Sequence, residues 1–225
     1  MANNELVRTS VEDISNYCVN ADSVFSVILR MVKGLQNKEQ IENINETLRK
    51  YTNSLDFIKD ALLDKDFFRK TPVYEEDLLS VLQKAKDEVV EEKRGLYANY
   101  LAACRCPDNI ECNSKQKYLR IVEHIDYMDV CILNFLNYYR SEKSIIEWVN
   151  NNFIKKISPD DILVHLGSIE PLGLIDKIGG EEYEKSFCRR GGNRKLRHPE
   201  AVHFYKRNRF GDGFYNFILK GIPNK

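Results

Sequence analysis

Nine cationic side chains crowd one stretch near the C-terminus: Lys185, Arg189, Arg190, Arg194, Lys195, Arg197, Lys206, Arg207 and Arg209, with Glu200 the only acid between the first and the last. A guanidinium is a planar fork that grips phosphate or carboxylate oxygens in pairs, so an arginine-rich run suits an anionic partner. Gly191 and Gly192 let the backbone come close to such a partner. Phe187, Phe204, Tyr205 and Phe210 offer rings on which bases could stack. The competing account is a solvated loop whose cations pair with acids elsewhere on the chain, because charge blocks are often solvated faces or interaction tails. These nine residues are the candidate nucleic-acid- or partner-binding set.

Other clusters carry weaker chemistry. Cys104-Arg-Cys106, with Cys112 and His124, is the one group with metal-like residue types. Structural zinc takes four ligands, typically in two short pairs, and here the spacing is one residue and the second pair is missing. His198 and His203 lie among the cations, as the acid and base of a metal-independent nuclease would, but nothing in the spacing supplies a positioned partner for either. Asp160 and Asp161 read as helix-start charges. Phosphate loops, nucleophile elbows and His-Glu-x-x-His stretches are absent from the sequence. The sequence therefore predicts no catalytic residue, no metal and no cofactor, and a chain that is not an enzyme.

Charge is balanced overall, 34 Lys and Arg against 34 Asp and Glu, yet residues 181–225 hold 11 cations against 5 acids. That surplus of six is matched by an equal deficit before it, so any attraction to polyanions is local to the last segment. The N-terminus shows no basic region followed by an apolar stretch, and no apolar run approaches the ~18 residues that span a bilayer. A cytoplasmic location, no membrane contact and reduced thiols for all six cysteines follow as expectations.

The elements that must position these groups come from periodicity. Ile41, Ile44, Leu48, Tyr51, Leu55, Ile58 and Leu62 alternate steps of three and four, with mostly polar residues between. This predicts one helix from about Lys38 to Arg69, with Lys50 and Lys59 on its exposed side, ended by Thr71-Pro72. A second long helix is predicted from about Tyr74 to Cys104, on the stripe Leu78, Leu82, Ala85, Val89, Leu96 and Tyr100. The two should pair as an antiparallel hairpin, its seam closed within a bundle or between two copies as a coiled coil. Upstream, Ser10-Val-Glu-Asp has the form of a helix start, with a break near Asn20. Downstream, helices are expected near 114–125, 128–139 and 144–153. A further helix starts at Ser158-Pro-Asp-Asp, with its Ser cap, Pro in the first turn and two acids. A strand in 171–180, the basic loop, a β-prone Val202-His-Phe-Tyr and a closing helix from Phe210 to Ile218 complete the order. Three short helices followed by strand, loop and strand are the order of a winged helix.

Several of these stretches resemble a bacterial family of unknown function found in prophages and mobile islands. Glu91-Glu-Lys-Arg-Gly-Leu-Tyr-Ala-Asn-Tyr-Leu-Ala102 is similar to its acid-x-x-[Phe/Tyr]-Ala-Asn-x-Leu-Ala pattern. Tyr118–Leu133, the Leu172-Gly-Leu-Ile175 step and Phe210-Gly-Asp-Gly-Phe-Tyr-Asn-Phe-Ile218 also fit. The likeness covers about residues 75–220; the long basic loop and the turn at 104–112 depart from it. It implies a helical region followed by a winged-helix-like domain, and no reaction.

The fold expected is mainly α: an antiparallel helical hairpin or bundle at 1–112, and a winged-helix-like α+β domain at 113–225 with a basic wing at 185–209. The function expected is a non-enzymatic sensor or adaptor that binds a protein partner or itself, with no small-molecule substrate. A nucleic-acid binder working through phosphate contacts of the wing is the alternative, and a metal-independent nuclease or toxin a weaker one. The helix starting at Ser158 sets the order of the first two. A base-reading helix presents Arg, Lys, Asn or Gln, and this one offers only His165 and Ser168, behind two acids.

Overall fold

A computed structural model of the chain describes residues 2–61, 64, 66–106, 112–153, 157–183 and 203–219. It is mainly helical, with one small antiparallel sheet. The elements run α1 (Ala2–Ser15), α2 (Ala21–Lys33), α3 (Lys38–Ala61), α4 (Phe67–Lys70), α5 (Glu75–Ala85), α6 (Glu91–Cys104), α7 (Cys112–His124), α8 (Tyr127–Phe135), β1 (Arg140–Ser141), α9 (Glu142–Asn152), α10 (Pro159–Ile169), β2 (Ile175–Gly179), β3 (His203–Arg207) and α11 (Arg209–Leu219). Among the described residues no helix is long and apolar enough to cross a membrane. They fall into two compact units. The first takes the residues up to Val122 together with Phe217–Leu219, and the second runs from Glu123 to Asn216.

In the first unit α3 is the central helix. Ile41, Ile44, Leu48, Tyr51, Leu55 and Ile58 are all buried, so the three-four stripe is a seam closed by the chain's own helices, with α1 and α6 as its main neighbours. Leu62, the last residue of the stripe, lies outside the described residues. Leu55 has no exposed surface. Leu55→Ala should therefore lower stability by about 3 kcal/mol, the transfer loss plus the cavity left in a helix that cannot collapse. A urea melt showing no change would remove the seam from the account of this unit.

Four expectations need correction here. The second long helix is two, α5 and α6, with the chain turning between Ala85 and Glu91. The carbonyls freed by that turn are held by side chains from elsewhere. Asn43 Nδ2 donates to Lys86 O at 3.0 Å, and Arg94 Nη1 to Glu88 O and Val89 O at 2.7 and 3.0 Å. Arg94 is itself buried and paired with Glu46 at 2.5 Å. Val89, counted as apolar stripe, is 75% exposed. Lys50 is drawn down between Glu46 and Glu91, at 3.3 and 3.0 Å, and Lys59 sits over the Tyr17 ring at 5.3 Å, so neither is fully exposed. Ser10 does not begin a helix. It lies inside α1, where its hydroxyl donates to Asn45 Oδ1 at 2.6 Å, and the break falls at Asn20, which precedes α2.

The second unit alternates short helices with the three strands. β3 lies between the other two, pairing with β1 (Arg140 opposite Tyr205) and with β2 (Ile175 opposite Arg207, Gly179 opposite His203), antiparallel on both sides. The core is built from Val130, Ile132, Leu133 and Leu136 of the α8 region, Ile145 and Val149 of α9, Ile162, Leu166 and Ile169 of α10, and Phe204 and Phe214. β1 was not foreseen. Its two residues end a stretch read as helix to Tyr139, and Ser141 then caps α9 by accepting from Ser144 N at 3.2 Å.

Candidate functional site

α10 begins as its sequence dictates. The Ser158 hydroxyl accepts from Asp161 N at 3.1 Å, Pro159 occupies the first turn, and Asp160 and Asp161 face solvent beside the positive helix end. Ile162, Leu166 and Ile169 face inward. The outward face carries Leu163 at 41% exposure, Val164 at 70%, and Gly167. The solvent side of the helix is thus acidic at its start and apolar along its middle, without a Lys or Arg anywhere on it.

Facing α10 stands the start of α8. Asp126 accepts from Asp129 N through Oδ1, and Asp129 accepts from Asp126 N through Oδ2, both at 2.9 Å, forming a reciprocal capping box. The second oxygen of Asp129 lies 2.8 Å from His165 Nδ1 and accepts from the Ser168 hydroxyl at 3.4 Å. The hydrogen bond to Asp129 raises the His165 pKa above its ordinary value, against the opposing effect of burial, and the charges of Asp126, Asp129 and Asp161 add to the rise. Among the described residues, Asp126, Asp129 and His165 have the residue types and proximity to hold a metal ion, their ligand atoms all lying within 4.8 Å of one another.

His203 has a different carboxylate. Its Nδ1 lies 3.2 Å from Glu142 Oε1, and the Tyr205 hydroxyl donates to the same oxygen at 3.1 Å. Burial, then the nearness of Glu142, holds the Tyr205 hydroxyl well above its usual range. This ties β3 to the start of α9. His198, the other histidine of the nuclease reading, lies outside the described residues.

Of the nine cations, Lys185, Arg189, Arg190, Arg194, Lys195 and Arg197 also lie outside the described residues. The remaining three have different fates. Arg209 is exposed at the start of α11, and Lys206 is half-buried over the Tyr139 ring at 5.6 Å. Arg207 is taken inside. Its Nε donates to Asp212 at 2.5 Å and its Nη1 to Leu133 O at 2.9 Å, while its guanidinium stacks on Tyr215 at 4.1 Å. Arg207 therefore fixes the turn from β3 into α11, and its fork is engaged within the unit.

The cysteines do not assemble into the sequence's metal-like cluster as far as they are described. Cys104 and Cys106 are buried free thiols, and burial pushes Cys104 up to about 12, which disfavours the thiolate that zinc requires. His124 is exposed. Asp126, Asp129 and Glu142 were missed by the reading of the sequence. Asp126-x-x-Asp129 is a capping-box spacing that a search admitting Asp at both ends would find, but its approach to His165, 36 residues later, has no local signal.

Compared with known proteins, the chain matches no family profile, no curated protein and no solved structure.

Proposed function

We propose that this chain is a non-enzymatic interaction protein of bacterial or mobile-element type, acting in the cytoplasm, whose second unit is a winged-helix-like module that docks a protein partner on the outer face of α10. The order α8–β1–α9–α10–β2–β3 with sheet order β1–β3–β2 supports the winged-helix reading. In that plan α10 is the helix that would enter a major groove. The observation that carries the proposal is what its outer face bears: exposed Leu163 and Val164 behind Asp160 and Asp161. Apolar side chains rimmed by acids suit a protein segment bearing apolar and cationic side chains, whereas carboxylates at the leading turn repel phosphate. A photo-crosslinker placed at Val164 in cells should give discrete protein adducts, lost on Leu163→Asp. Nucleic acid as the main adduct would overturn the proposal.

A second reading rests on the basic segment, whose described end keeps Arg209 exposed. Binding through that segment would be to phosphate alone, weak and indifferent to sequence. Its log–log salt slope would be about −0.9 per phosphate contacted. Duplex DNA titrated at low and high salt separates the readings. Binding abolished by replacing Arg189, Arg190, Arg194 and Arg197 together establishes the second. No binding at low salt leaves those arginines to a protein.

A further inference from the structure

The capping box at the start of α8 does more than end a helix. Each aspartate gives one oxygen to the other's backbone N–H, Asp126 through Oδ1 and Asp129 through Oδ2. Both carboxylates are thereby fixed in orientation, with one oxygen of each left over. The two left over, Asp126 Oδ2 and Asp129 Oδ1, stand 3.8 and 2.8 Å from His165 Nδ1, which arrives from a different helix. We propose that Asp126 Oδ2, Asp129 Oδ1 and His165 Nδ1 are the protein ligands of a divalent transition-metal site, with zinc as its first expected occupant.

The distances are those of a site that needs little rearrangement. Zinc–nitrogen and zinc–oxygen bonds are about 2.0–2.2 Å, so neighbouring ligand atoms around a tetrahedral ion lie roughly 3.3–3.5 Å apart. The Asp126–His165 separation is already close to this. The Asp129–His165 hydrogen bond must open by about half an ångström, with the ion replacing the proton on Nδ1. Three protein ligands with a fourth position open to water is the arrangement of reactive rather than sealed zinc sites. Access fits that pattern: the Asp129 side chain is 3% exposed and forms the floor, while Asp126 is 53% exposed and forms the open edge.

The surroundings supply an outer layer. The Asp126 and Asp129 backbone N–H groups hold the non-ligating oxygens, and the Ser168 hydroxyl approaches Asp129 Oδ1 at 3.4 Å. Such second-layer contacts orient metal ligands. Charge sets the ligand count. The positive end of α8 opposes a cation, so one carboxylate would not suffice, but two carboxylates with Asp161 nearby outweigh it. One imidazole and two carboxylates suit zinc, cobalt or manganese, and the nitrogen disfavours calcium and magnesium. This site is distinct from the partner face proposed for α10, since the one ligand on that helix, His165, turns its ring toward Asp126 and Asp129 at the start of α8.

The test uses the full chain, stripped with chelator, dialysed and titrated with zinc by calorimetry. One zinc should bind per chain at this site and raise the melting temperature, because an ion that binds only the folded state stabilises it. Asp126→Asn is the decisive variant. Asn caps a helix as well as Asp, so the fold is kept while the anionic ligand is lost. Affinity should fall at least tenfold, and the melting shift should disappear. His165→Gln should do the same, giving a second variant if the first is unstable, whereas Cys106→Ser should leave the titration unchanged. No zinc bound by the unaltered chain overturns the proposal. So does binding that survives both Asp126→Asn and His165→Gln, because the ligands would then be thiols or other histidines.

Discussion

Arg105→Met is expected to cost about 4 kcal/mol of stability, because this one guanidinium donates to buried backbone oxygens from two separate stretches of the first unit. Arg105 follows the end of α6 and is 4% exposed. Its Nη2 donates to Tyr17 O, Phe68 O and Thr71 O at 2.7, 3.3 and 3.0 Å, and its Nη1 to the Tyr51 hydroxyl at 3.4 Å. Its plane also faces the Phe68 ring at 5.2 Å. Among the described residues no carboxylate pairs with it. The charge is balanced by carbonyl dipoles where α1 and α4 end, which carry the negative end of each helix. Methionine keeps most of the volume and removes every donor. Each stranded carbonyl costs about 1–3 kcal/mol. Phe68 O keeps its bond from Thr71 N at 3.3 Å, and the loss at Tyr17 O and Thr71 O outweighs the relief of the buried charge and of its Nε, which has no partner among the described residues. Lysine should recover part of the loss, since an ammonium reaches some of the oxygens but cannot fork across all three. Denaturant melts of the two variants decide it. An Arg105→Met protein within about 1 kcal/mol of the parent would place Arg105 among the buried charges that apolar replacements match.

Arg105 also marks where the sequence stops being legible. The α3 seam was readable because its signal is local: apolar side chains three and four apart must share a face, and a face of that length must be covered. The continuation from Leu78 to Tyr100 obeys the same spacing, yet the chain breaks after Ala85. What decides the break is Asn43 and Arg94 accepting the burden of the freed carbonyls, and those contacts are formed only in the folded chain. Ser10 shows the converse. Its position three residues before an acid is a local signal for a cap, overruled by Asn45 of a distant helix.

The second unit divides in the same way. The start of α10 was legible to the residue because Ser158, Pro159 and the two acids act within one turn. The basic segment was legible as composition only. Nothing in Lys206-Arg207-Asn208-Arg209 announces that the second cation will fold inward onto Asp212 and Leu133 while the last stays outside. β1, two residues long, carries too little pattern to be seen, and Asp129 meets His165 through the packing of α8 on α10.

The glycines of the closing helix were legible as a motif, and one of them has a measurable reason. Gly211→Ala is expected to destabilise the second unit by about 4 kcal/mol, despite the roughly 1 kcal/mol that alanine ordinarily gains over glycine in a helix. A Cβ at position 211 would collide with Leu174 O and stand 2.8 Å from Arg207 Cγ. The first of these atoms is backbone and belongs to the turn leading into β2, so no rotamer change relieves the contact. Local hydrogen bonds hold both sides of that contact. Asn208 N donates to Leu174 O at 3.2 Å, Asn208 Nδ2 to Gly173 O at 2.9 Å, and Gly211 N to Asn208 Oδ1 at 2.9 Å. Moving α11 away to admit a methyl group breaks these bonds and pulls on Arg207. Overpacking of this kind costs more than the usual 1–3 kcal/mol when the obstructing atom cannot move. Gly167→Ala, within α10, serves as the comparison, since a Cβ at that position meets no atom within 4 Å. Thermal melts of the two variants should diverge widely. Equal melting temperatures would mean that α11 is free to shift against the turn before β2, and that Arg207 and Asn208 do not lock the strand-to-helix junction.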